Sequence, residues 1–182
     1  MYTYNILFLC TGNSARSIMA EALATVESKG RFVGYSAGSH PVGTVNPFAI
    51  EMIRPLGYPV AKLRSKHWEE FAAADAPQMD FVITVCDNAA GEVCHVWSGK
   101  PLTAHWGCQD PAAMSGSDDK KLQAFKDVFY GIQRRLKILL ALPLDRLDRM
   151  SLQAELAHTP DVQRRVSRPV PPENTSATNP AV

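Results

Sequence analysis

The sequence is poor in cysteine, carries no excess of charge of either sign and shows no internal repeat, and each shortage removes a class of protein. Four cysteines among 182 residues, at positions 10, 86, 94 and 108, are too sparse to staple a secreted fold. In a reducing compartment such thiols serve chemistry or packing. Nineteen lysines and arginines stand against 18 acidic residues, a net charge of +1. No basic stripe therefore awaits a nucleic acid, and a composition of 46% apolar and 20% charged residues is that of a soluble globular protein, not of a membrane protein. The apolar opening is short, has no charged leader or cleavage signal, and breaks at Cys10. It reads as a strand, and the expected location is the cytoplasm.

What is present fits one domain over residues 1–158. From 159 to 182 the chain turns to Pro, Ser, Thr and Asn with few large apolar groups. Such a tail cannot offset the entropy of ordering, so disorder is expected there. Within the domain, Ile6–Leu9 and Phe81–Val85 are continuous apolar runs, as expected of strands covered on both faces, and each runs into a cysteine. Between them the spacing predicts a helix over Ser17–Ser28 and a strand over Phe32–Ser36. A second helix is capped by Asn46, carries Pro47 in its first turn and closes at Gly57, and a short one lies around His67–Ala74. Lys120–Leu142 is the longest periodic segment, and a last amphipathic piece covers Leu144–Leu156. Strands alternating with helices imply a parallel sheet with its ligand site outside the carboxyl ends of the strands, which places Cys10 and Cys86 on one rim.

The segment Cys10-Thr11-Gly12-Asn13-Ser14-Ala15-Arg16-Ser17 joins that first strand to the first helix. Gly12, Ser14 and Ala15 are small enough for a tight loop whose successive N–H groups point inward, and the helix adds its positive end. Thr11 to Arg16 would thus cradle a tetrahedral anion above a thiol, an environment expected to depress the cysteine pKa and make Cys10 a thiolate nucleophile. Arg16 offers a planar fork to two oxygens, Ser17 can donate to the sulfur, and Asn13 tolerates the backbone angles of the loop centre.

These residues, with Ser36-Ala37-Gly38-Ser39, Val85-Cys86-Asp87-Asn88 and Asp110-Pro111, resemble the low-molecular-weight phosphotyrosine phosphatase fold, and within it the bacterial arsenate reductases, over roughly residues 4–142. The resemblance implies a four-stranded parallel sheet flanked by helices. It also implies a general acid at Asp110, on a loop over the cradle, that helps an oxygen depart. Organic cofactors and a structural metal are not expected. The four cysteines lack the close pairs that zinc favours, although a potassium ion beside the loop asparagine is an option that Asn13, Glu21 and Ser36 match in part.

Two chemistries share such a loop. Hydrolysis of a phosphate ester needs Cys10, Arg16 and Asp110, whereas reduction of As(V) also needs a second thiol to attack the sulfur bound to arsenic and expel arsenite. Cys86 is placed for that attack, and Cys94 could then take over the disulfide by thiol exchange, across a small, polar connecting segment. Cys108 is read as packing. Asp110-Pro111 is followed by Ala112-Ala113-Met114, where the phosphatases usually carry a tyrosine, which suits a small inorganic anion better than a phenyl ring. The sequence therefore favours an arsenate reductase served by thioredoxin or by glutathione and glutaredoxin. A protein tyrosine phosphatase and a non-catalytic oxyanion or redox sensor are the alternatives.

Overall fold

The computed structural model describes residues 2–86, 97, 99–144 and 149–157. Strands β1 (Tyr4–Cys10), β2 (Phe32–Gly38), β3 (Phe81–Thr84) and β4 (Leu102–His105) alternate with helices α1 (Arg16–Glu27), α2 (Pro47–Ile53), α3 (Asp118–Ala141) and α4 (Arg149–Ala157). All neighbouring strands are parallel, in the order β2-β1-β3-β4. The chain leaves β1 to one side to form β2, then crosses to the other side for β3. The crevice between the carboxyl ends of β1 and β3 is consequently the switch point at which such sheets take ligands.

Residues of β1 alternate between two cores. Ile6, Phe8 and Cys10 face the larger one with α1, α2 and α3, while Leu7 and Leu9 face a smaller one with Ala37, Met79, Val82 and Trp97. Ile6 to Leu9 are completely buried. Full burial of one such side chain contributes about 1.5–3 kcal/mol, so the strand that delivers Cys10 is firmly held. Gly38 ends β2 beneath the cradle. A Cβ there would lie 2.3 Å from the Thr11 carbonyl oxygen, and only glycine allows the strand to support the loop so closely.

The structure differs from the sequence reading in three places. Strand β4 carries no periodic signal because, among the described residues, it pairs with β3 alone and, within it, only Leu102 is buried. The second helix is shorter than expected: after Ile53 the chain tightens into a 3-10 turn, Arg54–Leu56, that ends at Gly57 with φ of 75°. Pro55 lacks an N–H, and its ring opposes the carbonyl four residues earlier, which explains the change. The segment after His67 is a 3-10 turn over Trp68–Phe71, too short to satisfy an α-helical ladder. The domain boundary at 158 and the tail from 159 lie outside the described residues.

Candidate active site

The loop after β1 turns its carbonyls away from its centre. Those of Cys10, Thr11, Gly12 and Ser14 accept hydrogen bonds from the N–H groups of Ser39, His40, Val42 and Asn46, at 2.9–3.2 Å. With the oxygens engaged by the segment that follows β2, the loop's own N–H groups are left to the inside. Helix α1 continues from Ala15, which supplies no side-chain cap, so the first-turn N–H groups and the positive end of the helix dipole also serve the cradle. Asn13 makes the sharpest bend, at φ of 43°, a left-handed angle that asparagine accepts more readily than most residues.

Beneath the loop runs a polar chain whose central members, Asn13, Ser17 and Ser36, are completely buried. The Asn13 N–H points at Cys10 Sγ from 3.2 Å, and the Ser17 hydroxyl lies 2.9 Å from the same sulfur. The Asn13 amide donates from Nδ2 to Ser17 Oγ (2.9 Å) and to Ser36 Oγ (3.0 Å), and its Oδ1 accepts from the Lys66 N–H (2.8 Å). Since Ser17 Oγ already accepts from Asn13, its own proton is free to turn to a sulfur anion. Ser36 in turn donates to Glu21 Oε2 (2.5 Å), and Tyr58 donates to Glu21 Oε1 (2.9 Å). Tyr58 is accordingly held far above the usual phenol range by burial and by the Glu21 carboxylate.

Cys10 itself is only 3% exposed. Burial pushes its thiol above the ordinary value of 9.0, against the Ser17 and Asn13 hydrogen bonds, and the nearby Cys86 adds a smaller push in the same direction. This departs from the depressed thiol expected from the sequence. The hydrogen bonds from Ser17 and Asn13 do not offset the loss of water around the sulfur, and Arg16 is engaged elsewhere: its Nη1 donates to the Cys108 carbonyl (3.0 Å) and its Nη2 pairs with Asp110 Oδ2 (3.3 Å). In the anion-free protein, iodoacetamide alkylation of Cys10 should therefore quicken about tenfold per pH unit from 7 to 9. A plateau already reached at pH 7 would contradict this. The linked stability has a definite sign. A thiol raised on folding contributes stability that is complete below its ordinary pKa and is lost as pH climbs through the folded value, so wild type should lose more stability than Cys10→Ser in alkaline denaturant titrations.

Asp110 is half exposed and caps the 3-10 turn Pro111–Ala113, accepting from the Ala112 N–H at 3.1 Å. The strand-to-turn segment before it is fixed from α3 by Arg135, which is 4% exposed and donates to the Gly107 carbonyl (3.1 Å) and toward Cys108 Sγ (3.5 Å). Cys108 also donates to the Trp106 carbonyl, in keeping with a packing role. Trp97 and Trp106 are buried in the two cores.

Cys86 stands two residues beyond Thr84, the last residue of β3, and is 2% exposed. Its sulfur lies 3.6 Å from the Thr11 hydroxyl, next in sequence to Cys10. The Val85 N–H bonds to the Leu9 carbonyl at 2.8 Å and Leu9 pairs with Thr84, so Val85 lies level with Cys10 and Cys86 stands one residue farther out. Cys94, with the segment that joins it to Cys86, lies outside the described residues. Thr11 to Arg16, Ser17, Cys86 and Asp110 are thus brought together. The sequence reading overlooked Lys66, Tyr58, Ser65 (whose hydroxyl donates to the Gly12 carbonyl at 3.1 Å) and Arg135. Their only sequence signal is a polar residue inside an otherwise apolar or loop context, which by itself reads as solvated surface.

The chain matches the family described as low molecular weight phosphotyrosine protein phosphatase over residues 5–155. It is 36% identical over 132 residues to an arsenate reductase of Halalkalibacterium halodurans, a match covering 72% of this chain and 91% of that relative. To an arsenate reductase of Bacillus subtilis it is 35% identical with the same coverage. Among solved structures it is similar to an arsenate reductase in the phosphate binding state, with a TM-score of 0.58 and 28% identity over 76% of this chain and 98% of that one. A tyrosine phosphatase of Erwinia amylovora, 18% identical with a TM-score of 0.57 over 75% of this chain and 90% of that one, shares the fold. By its matched length, its loop and its sheet, the chain belongs to the low molecular weight phosphotyrosine protein phosphatase family.

Proposed function

We propose that the protein is an arsenate reductase in which Cys10 attacks arsenic and Cys86 completes the reduction. The loop amides of residues 11–16 and the Arg16 guanidinium, swung from Asp110, hold the oxyanion. Cys10 Sγ displaces one hydroxyl of the arsenate monoanion: a sulfur–arsenic bond forms, an arsenic–oxygen bond breaks, and the hydroxyl leaves as water with the thiol proton. The Asp110 carboxyl assists the departing oxygen. The Ser17 hydroxyl and Asn13 N–H stabilise the sulfur as its proton leaves, in a dry site where such bonds count for more than in water. The Cys86 thiol then attacks Cys10 Sγ. The electron pair of the sulfur–arsenic bond goes to arsenic, a disulfide forms, and arsenite departs with the Cys86 proton. Arsenic gains two electrons and the two sulfurs lose two. Cys94 attacks Cys86 next, which frees Cys10 and moves the disulfide outward to an external thiol donor, thioredoxin or glutathione with glutaredoxin.

One observation carries this reading. A second buried thiol lies two residues past the end of β3, the strand beside β1, 3.6 Å from the hydroxyl of the residue after Cys10. Hydrolysis has no use for it, and a passive binder needs neither it nor Asp110. The relatives named arsenate reductase support the same choice. A thiol-reducing compartment, the cytoplasm, is the corresponding location. To test it, the purified protein is given arsenate with thioredoxin, thioredoxin reductase and NADPH, or with glutathione, glutaredoxin, glutathione reductase and NADPH. Arsenate-dependent NADPH oxidation is expected with one of the two systems, and none with either would reject the proposal.

A further inference from the structure

Lys66 is a charged residue in an unusual place. It is 8% exposed, and both of its ends meet the polar chain under the cradle. Its backbone N–H holds Asn13 Oδ1 at 2.8 Å. Its ammonium reaches Glu21 Oε2 at 3.4 Å, Ser36 Oγ at 3.3 Å and the Arg64 carbonyl at 3.2 Å, three acceptors for three protons. Glu21 is itself 6% exposed, and a buried carboxylate demands a counter-charge. Asn13, Glu21 and Ser36 are the residues that the sequence offered for a potassium ion. The ammonium stands among the oxygens of Glu21 and Ser36, so the residues present do not fit an added potassium ion.

We infer that Lys66 is the cradle's built-in monovalent cation, a positioning residue that makes the oxyanion site independent of dissolved potassium. Charge on Nζ holds Glu21 and Ser36 in one arrangement. Ser36 then accepts from the Asn13 amide, and Asn13 fixes both the loop bend and the Ser17 hydroxyl at Cys10 Sγ. An ammonium is a compact point charge on a flexible stem, so a small monovalent ion can take its place once the side chain is cut back, whereas a large organic cation cannot. The inference rests on the reading of the Cys10 loop as an oxyanion site.

The test is calorimetric titration of the reduced, full-length protein with inorganic phosphate in potassium chloride and in choline chloride at equal ionic strength, together with thermal midpoints in both salts. Wild type is expected to show the same phosphate Kd, within about twofold, and the same midpoint in the two salts. Lys66→Ala should bind phosphate about tenfold or more weakly in choline chloride. Potassium should restore most of that loss saturably and raise the variant's midpoint by mass action. Lys66→Arg, which keeps the charge, should need no potassium. A potassium-specific gain in wild type would overturn the inference, and so would a Lys66→Ala protein that binds phosphate normally in choline or whose defect potassium does not repair. If Lys66→Ala does not fold in choline chloride, recovery of folding in potassium chloride supports the role and failure in both salts counts against it. Absence of phosphate binding by wild type in every salt would instead contradict the oxyanion reading of the loop, while the midpoints would still report on Lys66.

Discussion

Replacing Cys10 by serine is expected to abolish arsenate turnover and any aryl phosphate hydrolysis together, each by roughly 10³-fold or more, the scale on which loss of a nucleophile is felt. A serine hydroxyl keeps the size and the hydrogen bonds to Ser17 and the Asn13 N–H, but it does not ionise near neutrality and forms no disulfide. The loop carbonyls stay anchored to residues 39–46, so phosphate should still bind in calorimetry. Both rates are measured by steady-state kinetics. Activity within tenfold of wild type would show that another group attacks.

Replacing Cys86 by serine should separate the two chemistries. Catalytic arsenate reduction should fall by at least about 10³-fold, because the arsenic adduct on Cys10 then has no second sulfur to take the disulfide. Aryl phosphate hydrolysis needs only the cradle and an acid and should stay within a fewfold of wild type. The side chain is 2% exposed, and a cysteine-to-serine exchange at a buried site costs some packing, so the hydrolytic rate also serves as the control for folding. Equal loss of both activities would argue that Cys86 supports the fold and takes no part in a relay.

How legible the site was in the sequence depended on how the chain delivers it. Cys10, Arg16 and Ser17 come from one uninterrupted stretch between a buried strand and a helix, and both elements announce themselves by their apolar pattern. Cys86 was legible by the same logic, as the residue after a second buried strand. Of the groups under the loop, Asn13, Glu21 and Ser36 were offered together only by the family resemblance, and Tyr58 and Lys66 were not offered at all, because these residues arrive from separate segments and no periodicity links them. Lys66 lies in the run Arg64-Ser65-Lys66-His67, which reads as solvated surface until the fold turns it inward. Likewise Arg135 falls on a helix that also carries Lys120, Arg134 and Lys137 on its exposed side, and only packing distinguishes it. The raised pKa of Cys10 is not legible in the motif for a related reason. Motif residues reveal which donors face the sulfur, but the amount of water removed from it depends on the whole core, and Arg16 proved to be paired with Asp110. Strand β4 escaped notice because an edge strand paired on one side has little to bury.

A single turnover without external reductant tests the relay from Cys10 to Cys86 directly. A reduced Cys94→Ser protein, in which the disulfide cannot be passed on, is mixed with arsenate, quenched with an alkylating agent and digested, and the linked peptides and the arsenite are quantified. One arsenite should be released for each pair of thiols lost, with a disulfide joining Cys10 to Cys86. Arsenite formed with both of those thiols still alkylatable, or a disulfide that leaves either of them out, would contradict it.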